Sequence, residues 1–346
     1  MSLATLYTSS DSPRLSFELF PPKTEAGERA LYQHVERLMA FQPDFITCTY
    51  GAGGSTQSKT LDIVCRVKQQ FELPVASHLT CVGATCDDLR SYLATAHERG
   101  VDYIVALRGD PPQGEDTFTP VAGGLRYANE LVTLIRDEFP DFGIAVAAYP
   151  ETHQEASSPE DDLKNLQRKV RCGADIAVTQ LFYDNQDFYA FRDRYEALGI
   201  TTPLIPGILP VTNLSQIRRI TSLCGARLPE HFVQRLGERD DEQERGDGDE
   251  DGERHALEPH GLSAMACEVA IGPAADDESA GHAGGQQAGA DDGFGPAATD
   301  HSDHEAQAAG HGQCEGHPLN RFATRSRVRI RIGVRPGGVR WIVPVS

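Results

Sequence analysis

Short apolar runs, rich in β-branched and aromatic residues, alternate with helical segments along the first two thirds of this 346-residue chain. The first run, residues 15–20, precedes an amphipathic segment, residues 28–39, whose large aliphatic side chains share one face. Six further pairs follow: predicted strands 45–49, 75–80, 103–107, 143–148, 176–181 and 204–208, and predicted helices 58–71, 86–98, 125–139, 161–172, 187–198 and 213–223. Seven β-then-α units predict a parallel sheet, because right-handed crossovers place a helix between successive strands.

Two layouts accommodate such a sheet, an open doubly wound sheet and a closed (β/α)8 barrel. An open sheet that binds a dinucleotide carries a Gly-x-Gly-x-x-Gly loop after its first strand. Residues 20–23 contain no glycine, and the glycine-rich run at residues 51–54 has Thr56 where the third glycine belongs. The sequence therefore predicts an α/β fold of the (β/α)8 TIM-barrel type.

The regular alternation ends after residue 236, where composition and charge change abruptly. Residues 237–317 carry 21 acidic side chains against three Arg and no Lys, a net charge of −18, whereas residues 1–236 carry −8 and residues 318–346 carry +7. One aromatic and five large aliphatic residues are too few to offset the entropy of ordering the 81 residues of this low-complexity acidic segment. We expect residues 237–317 to be disordered, and the eighth β/α unit is the one that the sequence does not supply.

Two explanations for this segment stay open, a natural acidic insertion and the product of a shifted reading frame in a GC-rich gene. The second is favoured because no Lys occurs after Lys169 and because Ala, Gly, Asp, His and Arg dominate the segment. In the Arg-rich tail, residues 318–346, Val and Ile alternate with Arg before a Pro-Gly-Gly turn, which predicts a β-hairpin. The expected domains are thus a catalytic barrel (1–236), the acidic segment (237–317) and the tail (318–346).

Composition also limits the location and the partners of the chain. There is no run of 18 apolar residues and no signal-peptide pattern at the start, so we expect a cytoplasmic protein without a membrane partner. The eight cysteines form no Cys-x-x-Cys pair, which indicates reduced thiols. The acidic barrel region argues against nucleic acid as a partner.

Polar residues occupy the predicted strands and their carboxyl ends, where a barrel carries its active site. Glu18 lies inside the first apolar strand, and burial there would keep its carboxyl group protonated near neutral pH, as a general acid requires. An outward-facing residue explains the same spacing equally well. Arg108 and Asp110 flank Gly109 after the fourth strand, where they can hold a phosphate and a ring nitrogen or form a structural ion pair.

Two further patterns allow both a functional and a structural interpretation. Asp162, Asn165 and Lys169 share one face of the helix after the fifth strand, which suits a sugar hydroxyl and a phosphate, although a solvated charged face is the commoner meaning. Gln180 ends the sixth strand beside two aromatic residues, an arrangement that suits a heterocycle edge or ordinary loop packing. Histidines and a cysteine at residues 301–317 have ligand-like spacing but no helix to present them, so no metal site is predicted.

Together these strand-end motifs resemble those of bacterial 5,10-methylenetetrahydrofolate reductases. They are residues 17–23 (FELFPPK), 47–51 (TCTYG), 78–81 (HLTC), 106–110 (ALRGD), 147–153 (AAYPETH), 179–180 (TQ) and 206–210 (PGILP). They keep the order and spacing of that family from about residue 14 to residue 236. Several motifs in register are far more specific than any one of them.

The resemblance implies a barrel that binds FAD, takes hydride from NADH or NADPH and passes it to methylenetetrahydrofolate by a ping-pong route, in one-carbon metabolism and methionine biosynthesis. It also implies a homo-oligomer. Glu18 would be the general acid that opens the methylene bridge to an iminium ion, Asp110 would lie near flavin and pterin, and Gln180 would contact the pterin or the nicotinamide. The residues implied to hold FAD are Thr49, Tyr50, Ala52, His78, Arg108, Gly109, Asp110, Ala128, Tyr149, His153, Ala156, Asp162, Asn165, Arg168 and Lys169.

The sequence departs from that family after residue 236. Family members continue with another helix, an eighth strand and an aromatic-rich segment that ends in Leu-Asn-Arg. Residues 319–321 repeat these last three letters without the aromatic neighbours, which makes Arg321 the matching contact of the folate's glutamate tail. The alternative to a reductase is a barrel that binds flavin but, without its eighth strand, does not turn over.

Overall fold

A computed structural model describes residues 3–8, 14–49, 57–111, 114–115, 117–211, 214–246, 265–270, 331–335 and 338–342. The chain divides into two compact units, Met1–Ser279 and Ala280–Ser346. The second unit contains two strands, β10 (Arg331–Arg335) and β11 (Gly338–Ile342), which pair antiparallel. The first unit contains the predicted β/α repeats.

Strands and helices alternate through the first unit. Its strands are β1 (Arg14–Leu19), β2 (Phe45–Cys48), β3 (Val75–Thr80), β4 (Tyr103–Leu107), β5 (Gly143–Ala148), β6 (Ile176–Thr179), β7 (Leu204–Ile205), β8 (Gly207–Ile208) and β9 (Met265–Ala270). Its helices are α1 (Leu3–Thr8), α2 (Glu25–Leu38), α3 (Gln57–Phe71), α4 (Cys86–Glu98), α5 (Ala128–Glu138), α6 (Pro159–Arg171), α7 (Asn185–Ala197), α8 (Leu214–Cys224) and α9 (Glu230–Gly246), with a short 3₁₀ turn at Met39–Phe41.

The sheet is parallel from β1 to β7 and curls back on itself. Its strand order is β7-β6-β5-β4-β3-β2-β1-β9-β8. Only Pro206 separates β7 from β8, so the two ends of this order belong to one stretch of chain. The predicted α/β barrel fold is confirmed, although the predicted strand at residues 204–208 is divided in two, because Pro206 has no N–H to donate to the sheet.

The eighth position of the barrel differs from a β/α unit. β9, which belongs to the acidic segment, lies antiparallel to both β1 and β8. α9 also continues to Gly246, ten residues beyond the predicted boundary at 236, because Glu, Arg and Gln in this stretch favour a helix. Within the segment that the sequence predicts to be disordered, the structure thus describes helix over residues 237–246 and strand over residues 265–270.

Side-chain caps and apolar faces explain the helices that surround the sheet. The N–H of Gly27 donates to Thr24 Oγ1 at the start of α2, and Thr85 and Asp88 form a reciprocal capping box on α4. Pro159 occupies the first turn of α6, where its missing N–H has no helical partner in any case. The apolar faces of these helices pack on the outer face of the sheet to form the main hydrophobic core.

The first helix, α1, packs at the opposite end of the strands from the candidate site. Its buried residues are Leu3, Leu6 and Tyr7. They join a second apolar cluster, made by residues at or near the starts of the strands: Phe45, Ala76, Tyr103, Ala145, Ile176 and Ile205. The sequence analysis did not predict this six-residue helix.

Three aspartates, each directly before an even-numbered strand, bind the start of the preceding strand. The backbone N–H of each aspartate donates to the carbonyl oxygen of one residue in the preceding strand. The backbone N–H of that strand residue donates in return to the carboxylate of the aspartate. We call these contacts the aspartate clamps: Asp44 on Leu15, Asp102 on Val75 and Asp175 on Ile144. Each clamp carboxylate also pairs with a cation, at 2.9 Å with Arg14, 2.8 Å with Lys68 and 2.8 Å with Arg136.

Candidate active site

A cleft of about 810 Å³ opens at the carboxyl ends of the parallel strands. Every predicted site residue that lies in the described part of the chain lines it: Glu18, Thr49, His78, Arg108, Gly109, Asp110, Ala128, Tyr149, His153, Ala156, Asp162, Asn165, Arg168, Lys169 and Gln180. Tyr50, Ala52 and Arg321 lie outside the described residues. Residues from six strands thus meet at one edge of the sheet, as a barrel fold requires.

Glu18 faces the cleft, which decides between the two orientations that the sequence left open. In the parallel register Glu18 pairs with Thr47, and Thr47 pairs with Ala76, two residues before His78. Residues two apart on a strand share a face, so Glu18, Thr47 and His78 lie on the same side of the sheet. The carboxylate Oε2 of Glu18 is 3.4 Å from Nε2 of His78, with side-chain exposures of 20% and 9%.

The Arg108–Gly109–Asp110 turn needs its glycine. Gly109 has φ +88°, and a Cβ there would lie 2.8 Å from a methyl group of Val82 and 3.0 Å from Thr80. The ion pair between Arg108 and Asp110, one of the two alternatives for this turn, is not among the ion pairs of the described residues. Its guanidinium instead binds both carboxylate oxygens of Glu155, at 2.5 and 2.6 Å. Hydrogen bonds from Arg108 hold the pKa of Glu155 below its usual value.

The polar face of α6 borders the cleft, with Asn165 and Arg168 also open to solvent. Asp162 accepts the N–H of His153 at 2.9 Å, and Arg168 donates to Asn165 at 2.6 Å. Lys169 is half-buried and donates to the carbonyl oxygen of Ala147. Burial lowers the pKa of Lys169 to about 8, and the nearby Asp162 carboxylate opposes this shift. The helix therefore presents a half-buried cation beside an acid and an amide.

Tyr149 and His153 form the wall between α6 and Arg108. Their rings meet edge to face with centroids 4.7 Å apart. Burial, and then the charge of Arg108, lower the pKa of His153, so its imidazole is neutral at neutral pH. Nδ1 of His153 accepts the N–H of Glu155 at 3.1 Å, which places the ring hydrogen on Nε2. Burial raises the pKa of Tyr149, which keeps its hydroxyl protonated.

Gln180 completes the cleft on the side of β6. Its backbone N–H donates to Ala148 at 2.7 Å, and its Oε1 accepts the N–H of Leu181 at 2.9 Å. These two bonds fix the position of the side-chain amide at the strand end. A fixed amide can recognise the edge of a heterocycle by hydrogen bonding.

Several cleft residues were missed by the sequence analysis. Glu155, the half-exposed Tyr127 and Asn129 border the cleft, whereas Thr80, which also lines it, belongs to the HLTC motif already noted in the sequence. The role of Glu155 could not be predicted from local sequence spacing, because its ion-pair partner Arg108 is 47 residues away. Tyr127 directly precedes Ala128, which the resemblance had already identified.

The described residues show no group of three or more His, Cys, Asp or Glu side chains suited to a metal ion. The ligand-like spacing at residues 301–317 lies outside them. Within the same part of the chain, no helix combines the length and the apolar character that a membrane span requires.

Comparison with known proteins assigns the family. The family model for methylenetetrahydrofolate reductase matches residues 5–250. The 5,10-methylenetetrahydrofolate reductase of Escherichia coli K12 is 42% identical over 230 residues, covering 66% of this chain and 75% of that protein. The enzyme of the same name from Salmonella typhimurium is 42% identical over 215 residues, covering 62% of this chain and 70% of that protein.

A plant relative extends the comparison beyond bacteria. Methylenetetrahydrofolate reductase (NADH) 1 of Zea mays is 41% identical over 239 residues, covering 66% of this chain and 40% of that longer protein. The matched region contains all the β/α repeats and the whole described cleft. The chain belongs to the methylenetetrahydrofolate reductase family, a family of oxidoreductases.

Proposed function

We propose that this chain reduces 5,10-methylenetetrahydrofolate to 5-methyltetrahydrofolate, with NADH or NADPH as hydride donor and FAD as the carrier between them. The observation that carries the proposal is the meeting of Glu18, Asp110 and Gln180 with several cationic side chains in one cleft of a chain of this family. The relatives named above are reductases of the same folate. One-carbon metabolism and methionine supply are the corresponding cellular roles.

The chemistry of the cleft fits FAD. Its volume of about 810 Å³ is within the range of cofactor pockets, on the order of 300–1,000 Å³. Arg108, Arg168 and Lys169 supply cations for the pyrophosphate, and Asp162 and Asn165 supply partners for hydroxyl groups. Bound FAD would supply the group that accepts and then donates the hydride. The residues Thr49, Tyr50, Ala52, His78, Gly109, Ala128, Tyr149, His153 and Ala156 complete the proposed cofactor site.

Glu18 is the proposed general acid for the folate step. Its proton would pass to the bridge nitrogen of the folate, the carbon–nitrogen bond would break, and the bonding electron pair would stay on that nitrogen. The substrate would then carry an iminium group ready to accept hydride. Glu18 is suited to this role because it reaches the cleft from a strand, which holds its carboxyl group in one place.

The remaining roles follow the same proposal. Asp110 would tune the flavin and pterin rings, and Gln180 would contact the pterin or the nicotinamide. Arg321 would bind the glutamate tail of the folate. The ping-pong order, the homo-oligomeric state, the catalytic domain at 1–236 and the cytoplasmic location stay predictions.

The alternative is a barrel that binds flavin without turnover. It was motivated by a missing eighth strand, and β9 occupies that position between β1 and β8. The reductase is therefore the better supported function.

The two half-reactions test the proposal. The purified chain should be yellow, NADH should bleach the flavin anaerobically, and methylenetetrahydrofolate should restore the colour. Glu18→Gln should keep the NADH step and slow the folate step by at least about 100-fold, the usual contribution of a general acid. Glu28→Gln is the matched control, because Glu28 lies on α2, outside the cleft, and pairs with Lys59 at 3.9 Å. Equal loss of both steps in Glu18→Gln would contradict the general-acid role.

A further inference from the structure

Two buried polar atoms beside Glu18 have no hydrogen-bond partner among the described residues. They are Thr47 Oγ1 and His78 Nε2. Thr47 is fully buried, and His78 is 7% exposed. Leaving a buried polar atom unpaired destabilises the fold, so each one calls for an explanation.

The position of Glu18 supplies that explanation for His78. Oε2 of Glu18 lies 3.4 Å from Nε2 of His78, within ion-pair range, but the angle is not that of a hydrogen bond. A small rotation of either side chain would bring the two atoms into hydrogen-bond contact. β1, β2 and β3 are adjacent and parallel, so the backbone keeps the starting points of the two side chains on the same face of the sheet.

We propose that His78 is a positioning residue that shares the transferable proton of Glu18 and returns a proton to Glu18 after each transfer. This inference rests on the proposed function, in which Glu18 protonates the folate. After that step the carboxylate is bare and the imidazole is neutral. Nε2 of His78 takes a proton from the solvent that enters the cleft. The new N–H bond then breaks as an O–H bond forms on Glu18, which leaves the ring neutral again.

The pair explains how a carboxylic acid can act repeatedly near neutral pH. When two ionisable groups interact closely, the protons leave in steps that belong to the pair rather than to one residue. The pair as a whole can therefore hold and re-supply the proton that the folate step consumes. Cys48 on β2 interacts with Glu18, and the cleft also contains the ionisable groups Arg108, Asp110, Tyr127, Tyr149, His153, Glu155, Asp162, Arg168 and Lys169. They are unchanged by substitution at His78.

His78→Gln tests the proposal, because glutamine keeps an N–H donor but cannot titrate. Each half-reaction is measured by stopped flow in the full chain between pH 6 and pH 9, per bound flavin. We expect the folate step to fall at least about 10-fold above pH 8 and the falling limb of its pH profile to move about one unit lower. Because His78 also belongs to the proposed cofactor site, the pH at which the folate step declines is the diagnostic quantity, and the NADH step is recorded only to correct for altered flavin binding. Thr47→Val is the matched control. It removes the neighbouring unpaired hydroxyl, which does not titrate, and should leave the pH profile of the folate step unchanged.

A second measurement does not depend on folate turnover. Nitrogen-15 NMR of labelled histidines, with the His78 signal assigned from the His78→Gln spectrum, reports the titration of the ring. Glu18→Gln should move the midpoint of this titration to lower pH, because an adjacent carboxylate favours the charged imidazole. An unmoved midpoint or an unshifted folate profile would overturn the proposal. A wild-type chain that oxidises NADH but does not reduce the folate would instead refute the proposed function, while the NMR result would still decide on the pair.

Discussion

At the scale of the residue, Lys169 connects the charge of the cleft to pH. Burial lowers its pKa to about 8, so it is mostly charged at pH 7 and mostly neutral at pH 9.5. The neutral form cannot attract a phosphate. The affinity for FAD should therefore fall as the pH rises through about 8.

This expectation can be measured by flavin fluorescence quenching. The wild-type Kd for FAD should rise about 10-fold between pH 7 and pH 9.5, which corresponds to the loss of one hydrogen bond to a charged group. Lys169→Gln should bind weakly at both pH values. Lys164→Gln is the matched control, because Lys164 lies on the same helix but is exposed and pairs with Asp161 at 3.5 Å. A pH dependence retained in Lys169→Gln would assign the effect to another group.

At this scale, a site residue could be predicted from the sequence only where it belonged to a recognisable motif. The helix face of Asp162, Asn165 and Lys169 was visible as spacing, but its orientation toward the cleft was not, since a solvated face has the same spacing. The contact between Glu18 and His78 depends on the register of three strands. Register is a property of the assembled sheet, so no local pattern could have shown it.

At the scale of the element, the aspartate clamps tie the strands together in pairs. Asp102 holds the start of β3 and also neutralises Lys68, to which both of its carboxylate oxygens are bonded at 2.8 Å. Asp102→Ala removes the acceptor of the Val75 N–H and leaves Lys68 without its partner. The free energy of unfolding should fall by about 1–2 kcal/mol. This loss is smaller than the one expected at a fully buried aspartate, because Asp102 is partly exposed.

Urea denaturation checks this value. Asp62→Ala is the matched control, because Asp62 forms an exposed ion pair with Arg99 at 2.8 Å and binds no strand. That change should cost less than about 0.5 kcal/mol. If the two variants unfold at the same urea concentration, the clamp does not stabilise the sheet. Asp44→Ala and Asp175→Ala should resemble Asp102→Ala, since all three make the same pair of backbone contacts.

The elements themselves were largely predictable because hydrophobic periodicity is local. The predicted bounds of β3, α4, β4 and β5 coincide with the observed ones. α1 was missed because six residues are fewer than two turns, although Leu3, Leu6 and Tyr7 have helical spacing. The clamps were not visible, because Asp44, Asp102 and Asp175 are unequally spaced in the chain and resemble ordinary loop aspartates.

At the scale of the whole molecule, β9 is the element on which closure of the sheet depends. A chain that ends at residue 279 retains the first unit with β9, whereas a chain that ends at residue 246 leaves one edge each of β1 and β8 unpaired. Unpaired strand edges favour aggregation. We expect the chain that ends at residue 279 to keep FAD binding. The chain that ends at residue 246 should aggregate and should melt at least about 5 °C lower, which corresponds to a loss of roughly 2 kcal/mol in a chain of this size.

Thermal unfolding and size-exclusion chromatography of the two truncations decide this point. Equal melting temperatures would mean that β9 adds nothing to the barrel. Loss of FAD binding in the chain that ends at 279 would assign a role in the site to residues 280–346, where Arg321 lies.

The barrel could be predicted as a whole because seven β/α units leave few alternatives. The eighth strand could not be predicted, because the alternation of strands and helices predicts only parallel strands that are joined by a helical crossover. β9 reaches its place antiparallel, from a segment whose acidic composition is typical of disorder.

The position of α1 has a consequence for the order of events during synthesis. α1 leaves the ribosome before any strand, yet the residues that bury it are distributed from Phe45 to Ile205. Its binding surface is therefore complete only after β7 has been made, and docking requires contacts that span some 200 residues of chain. Such non-local contacts form slowly. α1 is thus made before the strands that bury it and docks only after them, and until it docks the apolar residues at the amino-terminal ends of the strands lack their cover.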